Sequence, residues 1–296
     1  MKRKIVKQGG TALTITLPLA WAKRNNLSAG DEVDVEEKER SLMINADSTA
    51  SSGSLIIDIP KGYPFYKRII DTPYRNGYNE IRVNFEDSTH LEKIEAETAN
   101  LMGFEIVNQG KNFCILKNVA AGIDSEFDIL LNRLMLLTKT MMEDLLNSLE
   151  KEDFELDNIA NMEKITNRLC HFCKRMLNIK GYKEDAKAKG IYRIVSLYEE
   201  VADELRDLCK FEKENRIKLS KETIEGYKKI IHYLDFYYTL FHKFSHDKAF
   251  ELAALEKKYS KEVSKLLVEK TNKESVVIHY LMSIHNHIKH MSDELF

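Results

Sequence analysis

Thr11-Ala12-Leu13-Thr14-Ile15-Thr16-Leu17-Pro18 sets Leu13, Ile15 and Leu17 in strict alternation with threonines. A period of two is a strand with one apolar face. Upstream, Gly9-Gly10 marks a hairpin turn after a strand over Lys4 to Lys7. Downstream, Pro18 stands where the first turn of a short helix begins, and Asn25-Asn26 is where that helix ends. Ala29-Gly30-Asp31 is a second turn, Val33 and Val35 alternate with acids, and Leu42 to Ile44 is a last strand. Strand, strand, short helix, strand and strand thus fill roughly 45 residues, too little chain to bury a core unaided. A partner must complete it.

The whole chain has 296 residues, which suits two or three domains. Charged residues make up 31%, while Gly and Pro number only 12 and 4, a mix that favours long solvated helices. The net charge of -2 argues against an evenly basic coat but leaves room for a local basic patch. No apolar run follows the basic start MKRKIVKQGG, so it is not read as a signal peptide. No stretch is long and apolar enough to predict a membrane span. Four cysteines are too few for a disulfide scaffold, so a reducing, cytoplasmic interior is expected.

Ala46 to Ser54 reads as a linker between a first domain, 1–46, and a small α+β module, 54–120. In that module Leu55 to Ile59, Ile81 to Phe85, Phe104 to Val107 and Phe113 to Leu116 read as strands. Phe65 to Ile70 and Leu91 to Met102 read as helices, the second capped by Ser88 or Asp87. From about Glu126 prolines vanish. Six helical stretches follow, 126–149, 154–179, 184–212, 219–244, 247–270 and 272–295, each with apolar residues three and four apart. They form an all-α domain over 124–296, and two sets of three suggest a weak repeat, Ser196 to Leu208 lying on Met282 to Leu295.

Lys2, Arg3, Lys4, Lys7, Lys23 and Arg24 all precede the first acid, Asp31. Cations concentrated on one face grip phosphates, and Thr11, Thr14 and Thr16 add hydroxyl donors. The plainer alternative is a solvated, charged strand edge. The order of strand-Leu-Pro, short helix with Trp21-Ala22-Lys23-Arg24, Leu27-Ser28-Ala29-Gly30-Asp31 and the strand Ser41 to Ile44 resembles the AbrB/SpoVT family over about residues 3 to 45. The resemblance implies a homodimer whose interlaced hairpins close one small barrel that binds DNA. The implied contacts are Arg3, Lys4, Lys7, Thr11, Lys23 and Arg24; Gly9-Gly10-Thr11 departs from members that place Arg near this turn, and some members bind a toxin or only oligomerise. Trp21 reads as a core anchor of the short helix rather than a base-stacking residue.

Glu199, Asp203 and Asp207 stand four apart and form one carboxylate ridge along a helix. Such like charges are offset either by Arg206 and Lys210 or by a cation with hard oxygen ligands. The Glu199-x-x-x-Asp203 motif, and the opening Glu126-Phe127-Asp128 with Met141-Met142-Glu143-Asp144, resemble the PhoU family over about 126 to 295. That resemblance implies two three-helix bundles and, in some members, iron or another divalent metal. Glu163, Glu199 and Asp203 are the implied ligands, although Asn167 stands where a further acid is common.

His279, His285, His287 and His290 read as polar helix faces rather than a transition-metal site, since His285 and His287 face different sides. Cys170-His171-Phe172-Cys173 lies mid-helix and reads as packing rather than redox chemistry. No nucleotide loop, nucleophile elbow or zincin motif is present, so the reading is non-enzymatic. The order of the three parts resembles phosphate-uptake regulators of archaea. A transcriptional regulator of phosphate homeostasis is therefore expected, with a helical sensor that meets phosphate ABC transporter or sensor components. A DNA-independent accessory protein on that transporter and a metal store are the alternatives.

Overall fold

The computed structural model describes residues 1–38, 41–46, 53–120, 126–270 and 272–295. Most of the linker Ala46 to Ser54 lies outside them, as do the expected start of the helical domain at 124 and its end at 296. The chain divides into two compact units, Met1–Ser52 and Gly53–Phe296.

In the first unit, β1 (Val6–Gln8) and β2 (Ala12–Thr14) form an antiparallel hairpin, with Gly9 in the left-handed region at φ 67°. The Leu13/Ile15/Leu17 alternation predicts a longer strand. Pairing ends at Val6 with Thr14, and among the described residues no strand pairs with Ile15 and Leu17. Pro18 caps α1 (Leu19–Arg24) from an extended conformation rather than standing in its first turn. Asn26 takes φ 54° so that the Leu27 amide can reach back to the Ala22 carbonyl at 2.9 Å, a left-handed stop that asparagine tolerates better than most residues. The Asp31 carboxylate accepts from the Ser28 amide at 2.7 Å and closes the second turn. β3 (Asp34–Lys38) and β4 (Ser41–Asn45) make a second hairpin, separate from the first.

The second unit opens with β5 (Ser54–Ile59), α2 (Tyr66–Arg75), β6 (Glu80–Phe85), α3 (Thr89–Thr98), β7 (Phe104–Gly110) and β8 (Phe113–Asn118). The strands lie in the order β5-β6-β8-β7, with β5 parallel to β6 and the other pairs antiparallel. Alternation puts Ile81, Val83 and Phe85 of β6 and Cys114 and Leu116 of β8 into one core with Ile70, Tyr74 and Ile94 from the helices. The helix expected to stop near Ile70 runs through Pro73 to Arg75. A proline this close to the end costs one backbone hydrogen bond and little else. Ser88 stands at the N-cap of α3 without a side-chain cap bond, while the Asp87 carboxylate just before it accepts from the Thr89 amide at 3.0 Å.

Six helices follow: α4 (Phe127–Lys151), α5 (Asp157–Lys180), α6 (Ala188–Asn215, entered through a short 3-10 turn), α7 (Lys221–His242), α8 (His246–Glu269) and α9 (Lys273–Ser292). They form a large helical region around one continuous apolar core, to which every one of the six contributes. The break at Lys151-Glu152-Asp153 is a left-handed stop at Glu152, and Gly181 ends α5 with φ 74°.

One buried side chain ties the α+β module to the helices. Arg175 of α5 donates to the carbonyls of Tyr74 and Tyr78 at 2.7 and 2.9 Å and to Asn79 Oδ1 at 2.6 Å. Its guanidinium also lies about 5 Å from the ring centres of Tyr74 and Phe104. These carbonyls close the C-terminal end of α2, where the negative end of the helix dipole favours a cation; the Tyr74 carbonyl also accepts from the Gly77 amide at 3.0 Å. Beside it, Asn178 Nδ2 donates to the Arg75 carbonyl at 2.7 Å.

Candidate nucleic-acid interface

The first unit carries the basic residues on exposed backbone. Arg3 and Lys4 precede β1, Lys7 sits within it, Thr11 forms the hairpin turn, and Lys23 and Arg24 close α1. All six side chains are exposed. Lys7 is paired directly with Leu13, so the cation and an apolar side chain stand on the same face of the hairpin. Lys23 and Arg24 also complement the dipole of α1, which alone would account for cations there.

The apolar side chains of this unit are equally open. Ile5, Val6, Leu13, Ile15, Leu19, Val35 and Leu42 are each more than half exposed, and among the described side chains of the unit none is buried. Trp21, expected as a core anchor, is only half-buried, and α1 buries no residue. Two lone hairpins are marginal in water, so this arrangement needs a surface to close on.

The carboxylate ridge of the helical region is met by the chain's own cations. Arg206 pairs with Asp203, donates to Glu163 Oε1 at 2.8 Å, and forks onto Asp207 at 2.9 and 3.1 Å. Asn167, standing in the acid position, donates its amide to Glu163 at 2.5 Å. Burial and the neighbouring Glu163 push the Asp203 carboxyl up against the pull of Arg206. Lys210 reaches Asp207 at 3.3 Å.

Glu199 is separate from that fork. It pairs with Lys174 and lies 3.5 Å from His171 Nε2. Burial pushes its carboxyl up, but the His171 hydrogen bond and the Lys174 charge outweigh burial and hold it at about 2. The sequence reading missed Lys174, His171 and Asp71. Asp71 of α2 is buried 3.7 Å from His171, and burial raises its carboxyl above the ordinary range. The missed signal was spacing: Cys170, Cys173 and Leu177 mark the packed face of α5, and His171, Lys174 and Arg175 fall beside it.

The remaining motifs disperse. Cys170, Cys173 and Cys209 are buried and unbridged, and burial pushes the Cys173 thiol up to about 12, so the C-x-x-C acts in packing. His285 is buried and stacked on Tyr233, whereas His287 pairs with Glu200 at 3.0 Å. Among the described residues, no group of three or more His, Cys, Asp and Glu side chains is placed to hold a metal ion. Among them, too, no helix is long and apolar enough to cross a membrane.

Residues 6–48 match the sequence model of the family described as "Antidote-toxin recognition MazE, bacterial antitoxin". No curated protein and no solved structure matches the chain. The similarity thus covers the two hairpins and α1 and leaves the second unit outside it. The first unit is a MazE/AbrB-type domain, joined to a small sheet module and a large helical region.

Proposed function

We propose that this chain is a dimeric, DNA-binding transcriptional regulator that acts by binding rather than catalysis. One observation carries the reading: the first unit presents its apolar residues and its basic residues together, with none of its described side chains buried. Closing two such units on each other hides Leu13, Ile15 and Leu42 and gathers Arg3, Lys4, Lys7, Thr11, Lys23 and Arg24 from both protomers. The likeness to a MazE-type domain supports this. The second unit is then the sensor. Its resemblance to the PhoU family makes phosphate uptake the regulated process and two three-helix bundles its architecture; in this chain α6 also packs on α9 and α4 on α7, so the two sets would share one core.

Mobility shift at graded salt tests the reading. Lys4→Ala with Lys7→Ala removes up to four phosphate contacts from a dimer, so the log–log salt slope should fall by as much as about 3.6. DNA affinity that is absent at low salt sinks it. Genome-wide occupancy at high and low phosphate then tests the choice of target genes.

The likeness to a bacterial antitoxin family favours a second reading, an antitoxin whose partner is a toxin protein. Co-purification of a stoichiometric toxic protein, relieved by expression of this chain, separates the two. A metal bound by Glu163, Glu199 and Asp203 would have to displace Arg206 and Lys174. Equal metal content in the native protein and in Glu199→Ala/Asp203→Ala removes that proposal.

A further inference from the structure

The helices of the α+β module cover one face of its sheet and leave the other open. Register brings three rows of side chains across that open face. Ile56, Arg82, Ile115 and Asn108 form the central row, with Val107 bulged beside it; Asp58, Asn84, Phe113 and Gly110 form the next; Ser54, Glu80, Lys117 and Glu105 form the third. An antiparallel sheet with one solvated face alternates apolar inside with polar outside. Here the alternation fails at Ile56 and Val107, which are 63% and 47% exposed, and Phe113 and Ile115 add half-buried apolar surface between them.

The polar groups of this face are ordered. Arg82 stacks on the Phe113 ring at 4.1 Å and donates to Asn84 Oδ1 at 3.0 Å, while Asn84 Nδ2 donates to Asp58 at 2.9 Å. A positive and a negative group are thus held in fixed places, one at each end of an asparagine bridge. Lys117 and Glu80 add a second opposite pair at 3.8 Å. Such a near-balanced face lacks the surplus of cations that nucleic acid requires. It offers no single-sign field to an acidic or basic partner either. It does meet the condition for pairing with itself about a two-fold axis, where residue i of one copy meets j of the other and j meets i.

We propose that this open sheet face is a second homodimer contact, seating the same face of a second copy with Arg82 of each protomer against Asp58 of the other. The inference rests on the paired first units argued above. Its area explains why. Strands of about six residues at ~3.3 Å each, four abreast at ~4.8 Å, give roughly 350 Å² per copy. That is about 700 Å² in total, short of the ~1,200 Å² of a free-standing specific interface. Only eight residues separate Asn45 of β4 from Ser54 of β5, a reach of at most about 32 Å. Paired first units therefore hold two such faces at roughly millimolar effective concentration, where a weak contact closes.

Cross-linking of the full chain tests this. The four native cysteines are buried, so a single introduced surface cysteine reports alone. Ile56→Cys at about 1 μM should give majority dimer with a short bis-maleimide, unchanged on tenfold dilution, as expected for a tethered contact. Glu92→Cys, on the helix that covers the other face, should give at least fivefold less. Arg82→Glu or Asp58→Arg in the Ile56→Cys background should cut the yield several-fold, and the two together should restore it. Equal yields at positions 56 and 92, or no restoration by the charge swap, overturn the sheet contact. Light scattering on the same samples reads the paired first units separately: a dimer without the cross-link defeats this inference alone, and a monomer defeats both.

Discussion

Arg175→Ala should separate the α+β module from the helices without unfolding either the six-helix core or the first unit. The guanidinium satisfies the carbonyls of Tyr74 and Tyr78 and Asn79 Oδ1, and it packs between the rings of Tyr74 and Phe104. Removing one partner from a buried hydrogen bond costs about 1–3 kcal/mol for each group left behind. The Tyr74 carbonyl keeps the Gly77 amide at 3.0 Å, so the Tyr78 carbonyl and the lost ring contacts carry most of the cost, about 2–4 kcal/mol. That is a large share of the about 5–15 kcal/mol that holds an ordinary domain together. The guanidinium's bonds to Tyr74, Tyr78 and Asn79 all run to the α+β module, so their loss falls on the seam. Hydrogen exchange should show protection lost in α2 and β6 by tenfold or more, while α6, α7 and α9 keep theirs. Arg175→Lys should rescue little, because one ammonium cannot span three acceptors in the planar fork that guanidinium provides. Trp21, the sole tryptophan, lies in the first unit, so its fluorescence serves as an internal control. Unchanged exchange in α2, or a urea midpoint within about 0.3 M of the native value, would refute the reasoning.

Other perturbations follow from the same geometry. Glu212 is fully buried, and burial raises its carboxyl to about 7 against an ordinary 4.5. Its folded value lies above its unfolded one, so stability is highest below about pH 4.5 and falls as pH rises through 7, by at most about 3 kcal/mol. Glu212→Gln should melt higher than the native protein at pH 8 and equally at pH 4.5; a gap that does not depend on pH sinks the assignment. Glu199 runs the opposite way: held down at about 2, it contributes stability above pH 4.5 that is lost as pH falls toward 2. Lys174→Met should shrink that acid-side loss, read by calorimetry between pH 5 and 2. Leu13→Asp places a charge on the open apolar face of the first hairpin, and analytical ultracentrifugation should show a monomer. A native-sized dimer in that variant would mean that β2 does not meet a partner.

Much of the fold was legible because period decides it. The six long helices announce themselves through apolar spacing of three and four, and their breaks sit where Glu152 and Gly181 turn the chain. Strand registers across β6 and β8 follow from Ile81, Val83, Phe85, Cys114 and Leu116 facing one way. What the pattern could not show is which charged residue meets which. Glu199 and Asp203 share a helix ridge, yet one answers to Lys174 and His171 of α5 and the other to Arg206. Spacing along one helix cannot separate them, because the choice is made by the neighbouring helix. Arg175 is the extreme case: a cation inside a helix sequence reads as solvated surface, and only the carbonyls at the end of α2, about a hundred residues earlier, turn it into a buried anchor.

The two units differ in what they lack, and that difference bears on how a signal passes. The second unit buries apolar cores of its own. Among its described side chains the first buries none, and two lone hairpins are marginal in water. On the proposed regulator reading, a ligand would not have to melt or remodel the helices to change DNA affinity; it would need only to bias whether two second units sit together or apart. With the Arg175 anchor making module and helices move as one body, a differential of about 1.4 kcal/mol between those arrangements changes occupancy tenfold. Arg82→Glu with intact first units should therefore weaken any response to effector while leaving basal DNA affinity near native. Fluorescence anisotropy on labelled operator, with and without effector, reads both quantities in one titration. Loss of basal affinity in that variant would place the open sheet face in DNA binding itself rather than in the coupling.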